Sequence, residues 1–266
     1  MPLDHIAKTE MDSILNDFDE KLARRQLDFI YKKIPTTRCE NCDDCCFASP
    51  EVYFSEFINI YSYIQDLPDD VRHKIAERII RYEMLSNVTL EQKCPFLEEK
   101  KCLIYDVMPL HCRFFGLYPD EEYLEQKKES LEQNIAVAQY FARNHRLLLP
   151  REVMTYDIDQ CGNNIDKTGN AMVMTRFERD LVYGQVMELE NRVLPEEIVL
   201  GNENELNRFT YLYGLTQFED DELTKLRLEI MQEFLNQKKS AKLESLIKDR
   251  KFGFGMAKVK MIDRSL

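Results

Sequence analysis

The cysteines are the residues of this chain whose type and spacing are best suited to chemistry. Seven of the eight lie in two compact groups, Cys39, Cys42, Cys45 and Cys46, then Cys94, Cys102 and Cys112. Thiolates two residues apart can bind one metal centre, because a short loop returns each sulfur to the same point. The adjacent pair Cys45 and Cys46 strengthens this interpretation, since neighbouring side chains diverge and rarely both fill an ordinary core. The spacing therefore predicts a metal site.

The first cysteine group lies in a polar stretch, so its thiols are not standing in for small hydrophobic side chains. Zinc takes four ligands in a structural site, and an iron–sulfur cluster also takes four thiolates. Eight cysteines exceed either number. The additional thiols could complete a cluster, hold a second centre or remain as buried thiols.

The chain resembles the YkgJ-type cysteine-cluster family over roughly residues 36–165. The resemblance is carried by an ordered set of motifs: Cys39-x-x-Cys42-x-x-Cys45-Cys46, Cys94-Pro-Phe-Leu, Cys102-Leu-Ile-Tyr, Pro109-x-x-Cys112-Arg113-x-Phe115 and Cys161-Gly162. Members are described as zinc- or iron-chelating domains and include flagellin lysine-N-methylases. The resemblance implies that metal ligands come from the eight cysteines, Cys161 included. It favours an iron–sulfur cluster of the 4Fe-4S type, with zinc as the alternative.

Arg113 is the candidate for contact with a cofactor. Its guanidinium could donate to cluster sulfides or to an anionic ligand, and an ordinary ion pair with a nearby acid is the alternative. The family usually has an arginine directly before the proline of this motif, where this chain has Met108. The chain therefore lacks that second positive charge beside the site, while the thiolate set is intact.

The elements that must position these residues are mainly α-helices. Apolar residues at helical spacing predict helices over 10–33, 55–64 with Ser55 as N-cap, 67–85, 120–146, 174–193, 203–213, 220–237 and 239–250. The cysteines fall in irregular loops between them. Two short apolar runs around a polar turn predict a small hairpin within residues 94–105. Pro109 then opens a short helix that carries Cys112.

The simplest partition is a cysteine-cluster domain over residues 1–172 and a helical extension over 173–266. The extension ends in a basic tail, because residues 238–266 hold nine Lys or Arg and three acidic residues. Such a tail can contact an acidic partner, RNA or a membrane surface, although a solvated helix face is the commoner arrangement.

The amino-acid composition indicates which class of protein this is. The chain is 44% hydrophobic and 32% charged, as globular proteins are, and it has no apolar run of membrane-spanning length. We expect a cytoplasmic protein with reduced thiols, since no signal peptide is recognised at the N-terminus. The net charge of −12 argues against a general nucleic-acid-binding surface.

The leading hypothesis is a cytosolic iron–sulfur protein in redox or metal-dependent modification of a protein or peptide partner. One alternative is an S-adenosylmethionine-dependent protein-lysine N-methyltransferase similar to the flagellin methylases. The eight scattered glycines form no Rossmann fingerprint, so this alternative depends on the resemblance alone. The other alternative is a non-catalytic, zinc-stabilised interaction module. Whether the protein is an enzyme stays open.

Overall fold

The computed structural model describes residues 20–35, 43–47, 52–159, 161, 172–193 and 220–248. Its helices are α1 (Glu20–Tyr31), α2 (Phe54–Gln65), α3 (Asp69–Leu85), α4 (Leu110–Phe114), α5 (Asp120–His145), α6 (Arg151–Met154), α7 (Arg176–Val193), α8 (Asp220–Gln237) and α9 (Ala241–Lys248). Short 3₁₀ turns cover Asp44–Phe47 and Tyr105–Val107. The predicted mainly helical fold is confirmed. Cys39, Cys42 and the helix predicted over 203–213 lie outside the described residues.

A small antiparallel hairpin carries Cys102, as the sequence predicts. Strand β1 (Leu97–Glu98) pairs with β2 (Lys101–Cys102), and Leu97 lies opposite Cys102. The two turn residues, Glu99 and Lys100, have φ angles of 47° and 64°. A two-residue turn with both φ angles positive matches the right-handed twist of the strands. The hairpin therefore reverses the chain abruptly and returns Cys102 towards Cys94.

The larger core joins α2 and α3 to the C-terminal helices. Phe57 and Ile64 of α2 and Ile79 of α3 are buried in one cluster with Ile230 of α8 and Leu243 of α9. Ion pairing adds to this packing, because Arg81 of α3 donates to both carboxylate oxygens of Glu244 at 2.8 and 2.9 Å.

The smaller core joins α1, α4 and α7. Leu27 of α1, Leu110 and Phe114 of α4, and Val186 and Leu189 of α7 are buried together. Described residues on both sides of position 172 thus contribute to each core. The division at residues 172 and 173 stays a prediction.

Helix α2 begins differently from the prediction that Ser55 is its N-cap. The helix starts at Phe54, and Tyr53 occupies the N-cap position. The Glu56 carboxylate accepts the Tyr53 amide at 3.1 Å. The Glu190 carboxylate of α7 accepts the amides of Phe54 and Ser55 at 2.9 and 2.8 Å. Two buried carboxylates therefore satisfy the free amides that a serine hydroxyl would otherwise cap.

The helices of the described residues include none that is both long enough and apolar enough to cross a membrane.

Candidate metal centre

A backbone hydrogen bond joins the two cysteine groups. The Cys94 amide donates to the Cys46 carbonyl at 2.6 Å, across 48 residues of sequence. An ion pair reinforces this junction, since Lys93 Nζ lies 2.6 Å from Asp43 Oδ2. Asp43 has a φ of 66°, in the left-handed region that aspartate tolerates better than most residues. The 3₁₀ turn that carries Cys45 and Cys46 is therefore fixed against the second cysteine segment.

Aromatic packing also holds the same turn. The Phe47 ring lies 4.5 Å from Lys93 Nζ, and its centroid is 4.4 Å from that of Tyr156. The Tyr156 segment is tied in turn to α5, where Tyr123 donates to the Ile158 carbonyl and Lys127 pairs with Asp157. Three separate stretches of chain therefore meet beside Cys46.

The hairpin places the next two cysteines against the larger core. Cys94 and Cys102 are half-buried and pack against that core, in which Phe96 is fully buried. Phe96 also accepts the Leu103 amide through its carbonyl at 2.8 Å. Phe96 lies between Cys94 and Cys102 in the sequence, and its burial anchors the hairpin that carries Cys102.

Helix α4 carries Cys112 on a single short turn. Leu110 and Phe114, four residues apart, are buried in the smaller core, so they hold one face of the helix. Cys112 is half-buried. The first amide of the helix, that of Leu110, donates to the Glu56 carboxylate at 2.6 Å.

The thiols lie within electrostatic reach of one another. Loss of hydration is the main cause that raises the pKa of Cys94 to about 12; the charges of Cys102 and Cys45 act in the same direction, and a hydrogen bond from the Phe96 backbone opposes them. Loss of hydration also raises the pKa of Cys112, and the charges of Cys94, Cys102, Cys45 and Glu56 act in the same direction. A hydrogen bond with Cys46 is the main cause that raises the pKa of Cys45. These groups favour the neutral thiol unless a cation compensates the thiolates.

This donor set fits a metal centre in its chemistry. Cys45, Cys94, Cys102 and Cys112 supply sulfur, the donor that zinc and iron–sulfur clusters share. Their mutual repulsion as thiolates is the kind that a bound cation relieves. Within the described parts of the chain, no three His, Cys, Asp or Glu side chains are already arranged as a metal-holding group. Cys39 and Cys42, which would complete the first motif, lie outside those parts.

Arg113 does not approach the thiols through its described polar contacts. Its guanidinium donates to the carbonyls of Met108 at 2.7 Å and Asp106 at 3.4 Å, and it lies 4.2 Å from the centroid of the Tyr31 ring. The ion-pair alternative is likewise not seen in these contacts. Arg113 therefore stabilises the turn before α4, and its contact with a cofactor stays a prediction.

Cys161 is half-buried, and its immediate neighbours on both sides lie outside the description. Its role as a ligand therefore stays a prediction. Cys46 is half-buried beside the exposed Cys45. The two side chains of this adjacent pair are hydrogen-bonded to each other, so they do not diverge as predicted from the sequence.

Sequence reasoning missed Glu56, the buried carboxylate that contacts α4. Its side chain is 1% exposed although it is charged, and such a residue is rarely buried without partners. One signal was available: the run Phe54-Ser55-Glu56-Phe57-Ile58 places a single acid within an otherwise apolar or small stretch. The sequence did not reveal which groups this acid would contact.

One of three comparisons with known proteins found a match. Neither the search of curated proteins nor the search of solved structures found a match. A family model does match, over a region that contains seven of the eight cysteines and leaves out Cys161. The predicted resemblance to a cysteine-cluster family is confirmed: residues 38–134 match the family described as "CxxCxxCC: Putative zinc- or iron-chelating domain".

Proposed function

We propose that this protein binds an iron–sulfur cluster of the 4Fe-4S type and serves in redox or metal-dependent modification of a protein or peptide partner in the cytoplasm. The family match supports metal binding at the cysteines. The finer assignment to a cluster is supported by the tight Cys39-x-x-Cys42-x-x-Cys45 spacing, since three thiolates from one loop and a fourth from elsewhere recur in cluster proteins.

The observation that carries the proposal is the junction of the two cysteine segments, where the Cys94 amide donates to the Cys46 carbonyl at 2.6 Å. Cys45, Cys94 and Cys102 each contribute to the raised pKa of Cys112. Thiols whose charges raise one another's pKa are costly to ionise together in the absence of a cation. A bound cluster would supply electron transfer or an open iron site. The chain itself would supply the thiolates, with the larger core packed against Cys94 and Cys102 and with Phe47 in the same turn as Cys45 and Cys46.

The first test is a count of iron, zinc and acid-labile sulfide per chain on protein purified without oxygen. We expect about four iron and about four sulfide per chain, the content of one such cluster, together with broad visible absorption. Protein that lacks both iron and sulfide after this purification contradicts the cluster assignment.

A zinc-stabilised interaction module is the second candidate, because the family description names zinc as well as iron and because four thiolates suit tetrahedral zinc. One zinc per chain without sulfide, and unfolding when a chelator removes it, would support this candidate.

Methyl transfer from S-adenosylmethionine is the remaining alternative. It depends on the resemblance to flagellin lysine-N-methylases. Calorimetry on the metal-loaded chain tests it directly, and no heat of binding for S-adenosylmethionine would count against it.

A further inference from the structure

The Glu56 carboxylate connects four parts of the structure from a buried position. Its Oε1 atom accepts the Leu110 amide at 2.6 Å and also the Tyr31 hydroxyl, and its Oε2 atom accepts the Tyr53 amide at 3.1 Å. The contacts therefore link α2 to α1, to the residue before α2, and to α4. A fully buried carboxylate is retained without a large penalty only when donors such as these compensate its charge.

Helix α4 depends on this contact more than a longer helix would. It has only five residues, and its N-cap, Pro109, provides no side-chain hydrogen bond. The Glu56 carboxylate takes the place of that cap, and a negative charge at a helix start is also favourable to the helix dipole. Two residues after the capped amide comes Cys112.

The other side of Cys112 is held by the same network. Arg113 lies over the Tyr31 ring, whose hydroxyl donates to Glu56. Cys112 is thus bracketed by Leu110, which Glu56 holds directly, and by Arg113, which Tyr31 holds through its ring. These contacts restrict the rotation of α4 about its axis and so restrict the position of the Cys112 sulfur.

We infer that Glu56 is a positioning residue of the metal centre, which fixes the place of the Cys112 thiolate through the Leu110 amide and Tyr31. The inference rests on the proposed metal binding. Outer hydrogen bonds that orient a ligand typically change metal affinity by about 10- to 100-fold when they are removed. Glu56 would act on a ligand in this manner without touching the metal.

The test uses Co²⁺ titrated into the reduced, metal-free full chain at pH 8, with the thiolate-to-cobalt absorption as the readout. In Glu56→Gln one carboxylate oxygen becomes an amide nitrogen, so one of the donors loses its acceptor. We expect about 10- to 100-fold weaker Co²⁺ binding and weaker thiolate-to-cobalt absorption at saturation. A merely structural role would lower the stability of the metal-free chain and leave the absorption of the bound ion unchanged.

Glu190→Gln is the matched control, because Glu190 is also a buried carboxylate that caps backbone amides, those of Phe54 and Ser55. It has no described hydrogen bond to α4, so we expect parental Co²⁺ affinity. Tyr31→Phe keeps the ring beneath Arg113 and removes only the hydroxyl, and we expect an intermediate loss. This variant decides the matter if Glu56→Gln does not fold.

The outcomes separate the two proposals. A parent chain that binds Co²⁺ together with Glu56 and Tyr31 variants of parental affinity and spectrum overturns the positioning role alone. A parent chain that binds neither Co²⁺, iron nor zinc overturns the proposed function, and the positioning role falls with it.

Discussion

The cysteines of the candidate site differ in the contacts that fix the backbone carrying them. Cys112 sits on a helix fixed by two buried apolar side chains and a carboxylate, whereas Cys45 is exposed on a short 3₁₀ turn. The pKa of each is raised, Cys112 mainly by loss of hydration and Cys45 mainly by its hydrogen bond with Cys46. A metal ion at this place must therefore displace protons from the thiols, which makes its binding stronger as the pH rises.

Replacement of single cysteines distinguishes ligands from neighbours. Cys112→Ser removes a thiolate that lies within electrostatic reach of three others, so we expect a loss of metal affinity beyond the roughly 10- to 100-fold of an outer-shell change. Cys161 lies outside the region that matches the family, and Cys161→Ser should cause a smaller loss of metal if that thiol is only a neighbour of the site. Metal content and chelator competition measure both. Equal loss at Cys161 would make it a ligand.

At the scale of elements, two buried carboxylates, those of Glu56 and Glu190, accept the backbone amides at the start of α2. Loss of hydration raises the pKa of Glu56 to about 7, and loss of hydration likewise raises the pKa of Glu190. The hydrogen bonds from Tyr31, Leu110 and Tyr53 oppose the shift at Glu56 without cancelling it. The start of this helix therefore carries an electrostatic cost when both groups are ionised.

That cost predicts a pH dependence of stability. Between about pH 4.5, where an exposed glutamate titrates, and pH 7, the folded chain holds a proton at Glu56 that the unfolded chain has lost. The contribution of Glu56 to the free energy of unfolding is fully present below about pH 4.5. It is lost as the pH rises towards 7, by up to about 3 kcal/mol. Urea unfolding of the metal-free chain at pH 5.5 and 7.5 measures it. Glu56→Gln should show a smaller difference between the two, and an unchanged difference would contradict the assignment.

The sequence predicts the helices better than it predicts the tertiary contacts between them. The helix predicted over 220–237 is observed as Asp220–Gln237, because its apolar periodicity is a local property. Local preference predicts Ser55 as the cap of α2, but the acceptor for the Ser55 amide is Glu190, which lies 135 residues away. The cysteine spacing identifies the candidate site in the same local way. The Glu56 network depends on tertiary contacts that no spacing reveals.

At the scale of the whole molecule, the C-terminal helices are part of the core that supports the hairpin. Ile230 and Met231 of α8 are fully buried in the same cluster as Phe57 and Phe96. The helices of the predicted extension are therefore packed on the elements that position the cysteines.

Ile230→Ala tests whether the two halves unfold together. We expect a loss of about 2–5 kcal/mol, the usual cost of a large cavity in a core, in one transition seen both by circular dichroism and by the exposure of cysteine thiols to a reagent. Lys239→Ala, at an exposed position, should leave stability within about 0.5 kcal/mol of the parent. Thiols that become reactive at an unchanged urea concentration would show an independent cysteine domain.

The hydrogen bond between Cys94 and Cys46 has a consequence for the order of folding. The intervening segment contains α2 and α3, so the bond closes a loop whose chain entropy is lost before the thiols can meet. Contacts between distant residues form slowly for this reason. We therefore expect the two cysteine segments to converge late in folding. The cofactor would then be inserted into chains that have already folded. A chain that stops folding earlier would offer a metal only the cysteines of the first motif.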